Sequence, residues 1–318
     1  MQKSIFEQID GSFPHPMIRA PRLTKNAKTQ PGTDLGARLH LAPAALQGAI
    51  VAIIYRDISG LEIDSHQRLT HFAASELMSL SWFQGSDVYI YSAVEDKPAW
   101  RPLSASTVIS GSQQTPSVSW SVNAGRAGMI CFTADVAHTL FGIDVVTITN
   151  KFVPAQSVLP SHLWPLLEDL INSPDDISAI AALEHHLAPR WQLLHGRQNA
   201  SPTFSQIGRH WVERLAWQAR DWSRSHSQRH VERRIKALTG RSLRQWQALV
   251  KTEGVFFAAR SLFENGQEIN WANIAFEEGF ADQAHLIRET KRITGFTPIE
   301  FGLRFAEDES FWLYRLWL

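Results

Sequence analysis

The sequence is poor in several features that would assign it quickly to a class. It has one cysteine in 318 residues, Cys131, so no disulfide can form within the chain. The apolar run Met129-Ile130-Cys131-Phe132 predicts a buried, reduced thiol, which fits a reducing cytosol. It has no net charge: 31 Lys and Arg balance 31 Asp and Glu. No overall field therefore draws it toward nucleic acid, membrane or acidic partners, and any such attraction must be local. No stretch approaches the roughly 18 apolar residues of a membrane span, and Met1 to Glu7 offers no signal-peptide core. A soluble, cytoplasmic protein with no membrane partner is expected. No Gly-x-Ser-x-Gly elbow, phosphate-binding glycine loop or dinucleotide fingerprint occurs. No catalytic residue, metal ligand or cofactor is assigned on that basis, and an enzyme is not expected.

What is present falls into two textures, and 318 residues with close to half apolar suffice for two domains. The first forty residues read as an irregular arm. From Ala49, short β-branched and aromatic runs (Ala49 to Tyr55, Leu77 to Phe83, Val88 to Tyr91, Ser117 to Val122, Gly128 to Phe132) alternate with Gly/Ser/Asp/Asn/Pro clusters, predicting a small sandwich or barrel. Val118 to Val122 alternates strictly, as a half-buried strand requires. Ala134 to Leu140 is expected to be a short helix and Val145 to Phe152 a last extended segment. After Pro160, Leu163, Leu166, Leu167, Leu170 and Ile171, then Ile177, Ile180, Leu183 and Leu187, recur at helical spacing. Leu194 to Pro202 reads as a linker. From Thr203 to about Phe305 the pattern is helical, broken at Thr239-Gly240, Glu264-Asn265-Gly266, Gly279 and Thr294-Gly295. The expected fold class is α+β in two domains: a β-rich domain over 1–155, a helical connector and linker over 156–202, an all-α domain over 203–306, and an aromatic tail over 307–318. The tail is expected to pack back onto the protein, because an exposed apolar patch of its size invites aggregation.

Function is carried by the helical half. Between Arg220 and Lys251 nine Lys/Arg face two acids, Asp221 and Glu232. That local excess of seven suits a polyanion, although a solvated helix face would also present it. From Trp271 to Arg288 a short helix is broken at Gly279 and restarted by Asp282, a residue able to cap the next helix. This is a helix-turn-helix in outline. Ile274, Ala275, Phe280, Leu286 and Ile293 would form the wedge between its helices, and Gln283, Ala284, Ile287, Arg288 and Lys291 would point outward. A major groove accepts such a helix, and Arg and Gln can pair bidentately with guanine and adenine edges.

Ile274-Ala275, Gly279-Phe280-Ala281-Asp282-Gln283-Ala284-His285-Leu286, Arg288, Lys291-Arg292-Ile293-Thr294-Gly295-Phe296-Thr297-Pro298 and Phe301 together closely resemble the second helix-turn-helix signature of AraC/XylS-type transcription regulators. Ser227 to Lys236 and Leu238 to Leu243 resemble that family's first recognition helix more loosely, with Leu243 to Arg260 as the linker helix. The resemblance covers the last third of the chain. It implies a C-terminal double helix-turn-helix domain that places two recognition helices in successive major-groove segments of double-stranded DNA. It puts Gln228, Arg229, Glu232 and Arg233 of the first helix and Gln283, Ala284 and Arg288 of the second against bases. Arg241, Arg244, Lys291 and Arg292 are expected at phosphates, which set register and salt dependence without reading sequence. The turn glycine of the first unit is missing, with Asp221 to His226 in its place, and Thr290 stands where the family commonly has an aromatic core residue. Leu69 to Ser75 through Phe83, and Ile109 to Pro116, look like sensor domains fused to such regulators, implying a cupin-like sandwich or barrel that holds an effector or dimerises. The expectation is a transcription factor of that family, with a small-molecule effector and a homodimer both left open, and RNA polymerase as a partner if it activates.

Two rivals stand beside this. A metal-binding cupin-like enzyme or sensor would use His40, His66, His71 and His138, but none has the close His-x-His spacing with a following carboxylate. His185 and His186 are adjacent on a helix and expected to point apart. An interaction protein with a degenerate helix-turn-helix is the other. DNA-repair methyltransferases fused to AraC-like domains need several reactive cysteines, which this chain lacks.

Overall fold

The structure, a computed structural model, describes residues 36–64, 67–94, 97–195, 213, 215–239, 242–264 and 270–317. Its N-terminal half is built on antiparallel β-sheets and its C-terminal half is helical.

Among the described residues ten strands form two sheets: β1 (Ala37–His40), β2 (Ala52–Asp57), β3 (Leu69–Phe72), β4 (Met78–Gln84), β5 (Val88–Val94), β6 (Lys97–Pro102), β7 (Thr107–Ser110), β8 (Ser117–Ser121), β9 (Arg126–Phe132) and β10 (Phe152–Pro154). One sheet has the order β1-β2-β9-β4-β7-β10 and the other β3-β8-β5-β6. Every pairing is antiparallel. Period-two alternation decides what each face meets. On the larger sheet Ile53, Tyr55, Met78, Leu80, Trp82, Ile130 and Phe132 point outward into the main core. That core is completed by α1 (Ala134–Thr139), α2 (Val145–Ile148), α3 (Ala155–Val158), α4 (Trp164–Asn172) and α5 (Asp176–His195).

The segment expected to be extended from Val145 to Phe152 is α2 followed by β10. Asp144 caps that helix by accepting from the Val146 N–H, a local bond that outcompetes the β-propensity of Val145 and Val146. The expected linker begins later than its composition suggested, because α5 continues to His195; the rest of it lies outside the described residues. β1 is tied to α5 by Asp176, whose Oδ2 accepts from Arg38 and meets His40 Nε2, both at 2.8 Å.

The helical half begins with 215–222 and continues with α6 (Gln228–Thr239), α7 (Leu243–Glu264), α8 (Trp271–Glu277), α9 (Gln283–Thr294), α10 (Pro298–Glu307) and α11 (Trp312–Trp317). The two halves do not have separate cores. Leu215, Ala219, Val231, Ile235 and Trp246 join the same buried cluster as the α1 to α5 layer, and α6 packs on α1 and α2. Among the described residues no helix is long and apolar enough to cross a membrane.

Candidate nucleic-acid interface and interior cavity

The long helix α7 is the spine of the helical half, touching α6, α8 and α9. α8 starts at Asn270, whose side chain accepts from the N–H groups of Ala272 and Asn273. It ends at Gly279, where the chain takes φ +74°, a left-handed conformation that glycine adopts without steric cost. Asp282 then accepts from His285 N–H at 2.6 Å and starts α9, and Gly295 closes that helix at φ +85°. Ile274, Ala275, Phe280 and Leu286 pack together against Val255 and Ala259 of α7. Ile293, expected in the same wedge, is elsewhere: it belongs to the main core, and its carbonyl accepts from Ala74 N–H at 2.7 Å. The last turn of α9 therefore docks on the β-domain.

With one face of α9 sealed by Leu286, Gln283, Ala284, Arg288, Lys291 and Arg292 are exposed, while Ile287 is half-buried rather than outward. Arg292 is held by Glu289, at 2.7 Å and 3.1 Å from two of its nitrogens. On α6, Val231 and Ile235 are buried, and Gln228, Arg229, Glu232 and Arg233 are exposed on the other side. Glu232 lies 4.0 Å from Lys236 and Arg233 bonds His230 Nδ1 at 3.3 Å. Slight desolvation, with His226, Arg233 and Arg234 nearby, lowers the pKa of His230. In the turn that lacks its glycine, Arg234 stacks over Trp222 at 4.0 Å. Arg244, at the start of α7, is exposed; Arg241 lies outside the described residues. Lys251, the last cation of the basic run, is spent internally, donating to the Gly279 carbonyl at 3.0 Å.

Between the two sheets lies a cavity of about 230 Å³. Facing sheets sit about 10 Å apart and need large side chains to fill the gap. Here the inward positions include Ser79 and Ser81 of β4, Ser110 of β7, Ser117, Ser119 and Ser121 of β8, and Ala127 of β9. Their small side chains leave the space open. The rest of the wall is mainly apolar, with Ile54, Phe72, Val88, Ile90 and Met129 beside the polar Arg56, Thr70 and Gln113, together with Cys131, whose thiol burial pushes its pKa up to about 12. One end is closed by the C-terminal tail through Trp312, Leu313 and Tyr314. The tail thus packs back onto the protein. Glu309 meets Arg56 at 3.3 Å and Arg315 at 2.7 Å, and Arg56 stacks over Trp312 at 4.6 Å.

These cavity residues escaped the sequence reading. The alternating serines of β4 and β8 were the available signal, since small polar residues on an inward face leave a sandwich underfilled. Of the histidines weighed as ligands, His71 contacts Phe296 and Phe311, His40 meets Asp176, His138 is exposed and His66 lies outside the described residues. His185 and His186 do not point apart: their rings touch edge to face at 4.9 Å, and His186 Nε2 meets Asp169 at 2.6 Å.

No protein-family model matches the chain, and no curated protein matches it. Among solved structures it is similar to ToxT from Vibrio cholerae O395, at 10% identity and a TM-score of 0.36, covering 86% of this chain and 99% of that one. An apo ToxT variant from Vibrio cholerae strain SCE256 gives 11% identity and a TM-score of 0.37, covering 78% and 95%. Unsaturated fatty acid bound ToxT from the same strain gives 8% and 0.35, covering 75% and 94%. At that distance the likeness carries no argument, and the functional reading rests on the chain's own residues.

Proposed function

We propose that this chain is a sequence-specific, double-stranded-DNA-binding transcription regulator of the AraC/XylS type that works in the cytoplasm and answers to a small molecule held in its cupin-like N-terminal domain. The observation that carries the reading is α9. Asp282 caps it, Leu286 locks one face to α7, and Gln283, Ala284 and Arg288 stand exposed on another, a combination suited to reading base edges. α6 supplies the matching helix of a double helix-turn-helix, with Gln228, Arg229, Glu232 and Arg233 at bases. Arg241, Arg244, Lys291 and Arg292 serve phosphates. The division into 1–155, 156–202, 203–306 and 307–318 follows these roles. The cavity between the sheets is the effector site. A homodimer would meet the paired half-sites such regulators use, and an activator would in addition contact RNA polymerase.

The test is footprinting of the full chain on DNA next to its own gene, followed by anisotropy titration over a range of salt. A discrete footprint and an affinity that falls steeply with salt are expected, since each neutralised phosphate releases counterions. No footprint and no salt dependence would overturn the regulator reading in favour of an interaction protein.

A further inference from the structure

We infer that the cavity takes an uncharged, amphiphilic small molecule of roughly ten non-hydrogen atoms that carries hydroxyl-type groups. This deepens the effector reading above and rests on it. The size follows from the volume, about 230 Å³: an apolar cavity of about 150 Å³ holds benzene. The polarity follows from the serines. Ser117, Ser119 and Ser121 line one wall and Ser79 and Ser81 the facing one. Ser117 and Ser79 are 3% and 9% exposed. All five line the hollow, so a guest inside it meets a row of serines on each sheet. A hydroxyl both donates and accepts, so serines facing a hollow suit a guest that hydrogen-bonds. Alternate residues on a strand recur about every 6.6 Å, and the β8 serines therefore offer contacts along the length of an extended guest. The apolar side chains set among them, such as Ile54, Phe72, Ile90 and Met129, suit its hydrocarbon part.

The absence of charge follows from the two guanidiniums at the cavity. Arg56 donates to the Gln67 carbonyl at 3.2 Å, pairs with Glu309 and stacks on Trp312. Arg126 donates to the Pro174 carbonyl. Arg56 is thus paired with an acid, and Arg126, in step with outward-facing Ile130 on β9, is turned to Tyr55, so a carboxylate would enter without a dedicated counter-charge, and burying an unpaired charge is far costlier than burying a hydroxyl.

Calorimetric titration of the full chain with three probes of equal heavy-atom count tests this: 1,2-octanediol, octanoate and butylbenzene. The diol is expected to bind tightest. Replacing Ser117→Ala and Ser119→Ala together should weaken the diol by about tenfold, the loss of one to two hydrogen bonds, and leave butylbenzene unchanged. Retained butylbenzene binding also shows that the doubly substituted chain keeps its fold and cavity. Octanoate or butylbenzene binding more tightly than the diol, or a diol affinity indifferent to the two substitutions, would overturn the inference while leaving a ligand site in place. Binding of none of the three would overturn the effector reading as well.

Discussion

The indole N–H of Trp312 donates to the Thr70 hydroxyl at 3.0 Å, a bond between residues 242 positions apart. One side chain from the last turns of the protein thereby closes an end of the cavity between the sheets, and Arg56 stacks on it from β2. The cavity wall at Trp312 and α10, the helix that follows the second candidate recognition element, are neighbouring pieces of chain.

Trp312→Ala removes this buried ring, its hydrogen bond and its cation–π contact. The loss should be about 3–5 kcal/mol, the usual cost of emptying a large aromatic site. Trp312→Phe keeps most of the packing and should cost about 1–2 kcal/mol through the unpaired Thr70 hydroxyl. Urea unfolding midpoints for both variants check the order, and equal stability of all three chains would refute the closing role of the tail.

Arg288→Ala and Lys291→Ala separate reading from positioning. Arg288 should cost about 1–3 kcal/mol on the preferred site and relax selectivity at one base pair. Lys291 should weaken all sequences alike and reduce the salt slope by about one. Titrations on preferred and scrambled duplexes distinguish the two, and equal losses on both duplexes for Arg288 would reassign it to a phosphate.

Asp176 supplies a pH signature. Its burial alone would raise its pKa, but hydrogen bonds from His40 and Arg38 and their charges outweigh that and hold it below the ordinary carboxylate value. A depressed folded-state pKa contributes stability that is present above the unfolded value of about 3.9 and lost as pH falls through the folded one. Asp176→Asn should therefore be less stable than wild type at neutral pH, with the gap narrowing below about pH 4. Denaturation curves across that range measure it; a gap independent of pH would exclude the linkage.

Gly128 faces Trp82 across the β4–β9 pair. A Cβ there would lie 2.0 Å from the indole ring, which is 1% exposed and part of the main core. Gly128→Ala must displace Trp82, and a cost of about 1–3 kcal/mol or more is expected from overpacking. Thermal unfolding reads it directly, and an unchanged midpoint would mean the ring has room that the packing does not show.

Legibility differed by element. The strand of Val118-Ser119-Trp120 could be read because alternation is a local property of the pleat, and that of Met129-Ile130-Cys131 because a short apolar run between turn residues is local too. Breaks at Gly279 and Gly295 and the cap at Asp282 could be read because each depends on two or three neighbouring residues. β1, β3, β6, β7 and β10 are too short or too mixed to announce themselves, and Val145-Val146 misled because capping by Asp144 overrode their propensity. Ile293 misled differently: its spacing is right for the wedge, but Ala74 and the β-domain claim it.

Sequence alone determined the division into a β-rich and a helical half, the capped helix from Gln283 to Thr294, and the polar side chains it could offer to a groove. These follow from periodicity, charge and turn chemistry, which act over a few residues. Only the tertiary structure decided that the halves share one core, that the serines of β4 and β8 face each other across an open space, and that the tail closes it. Such features arise from contacts between residues far apart in the chain, whose partners no local pattern can name.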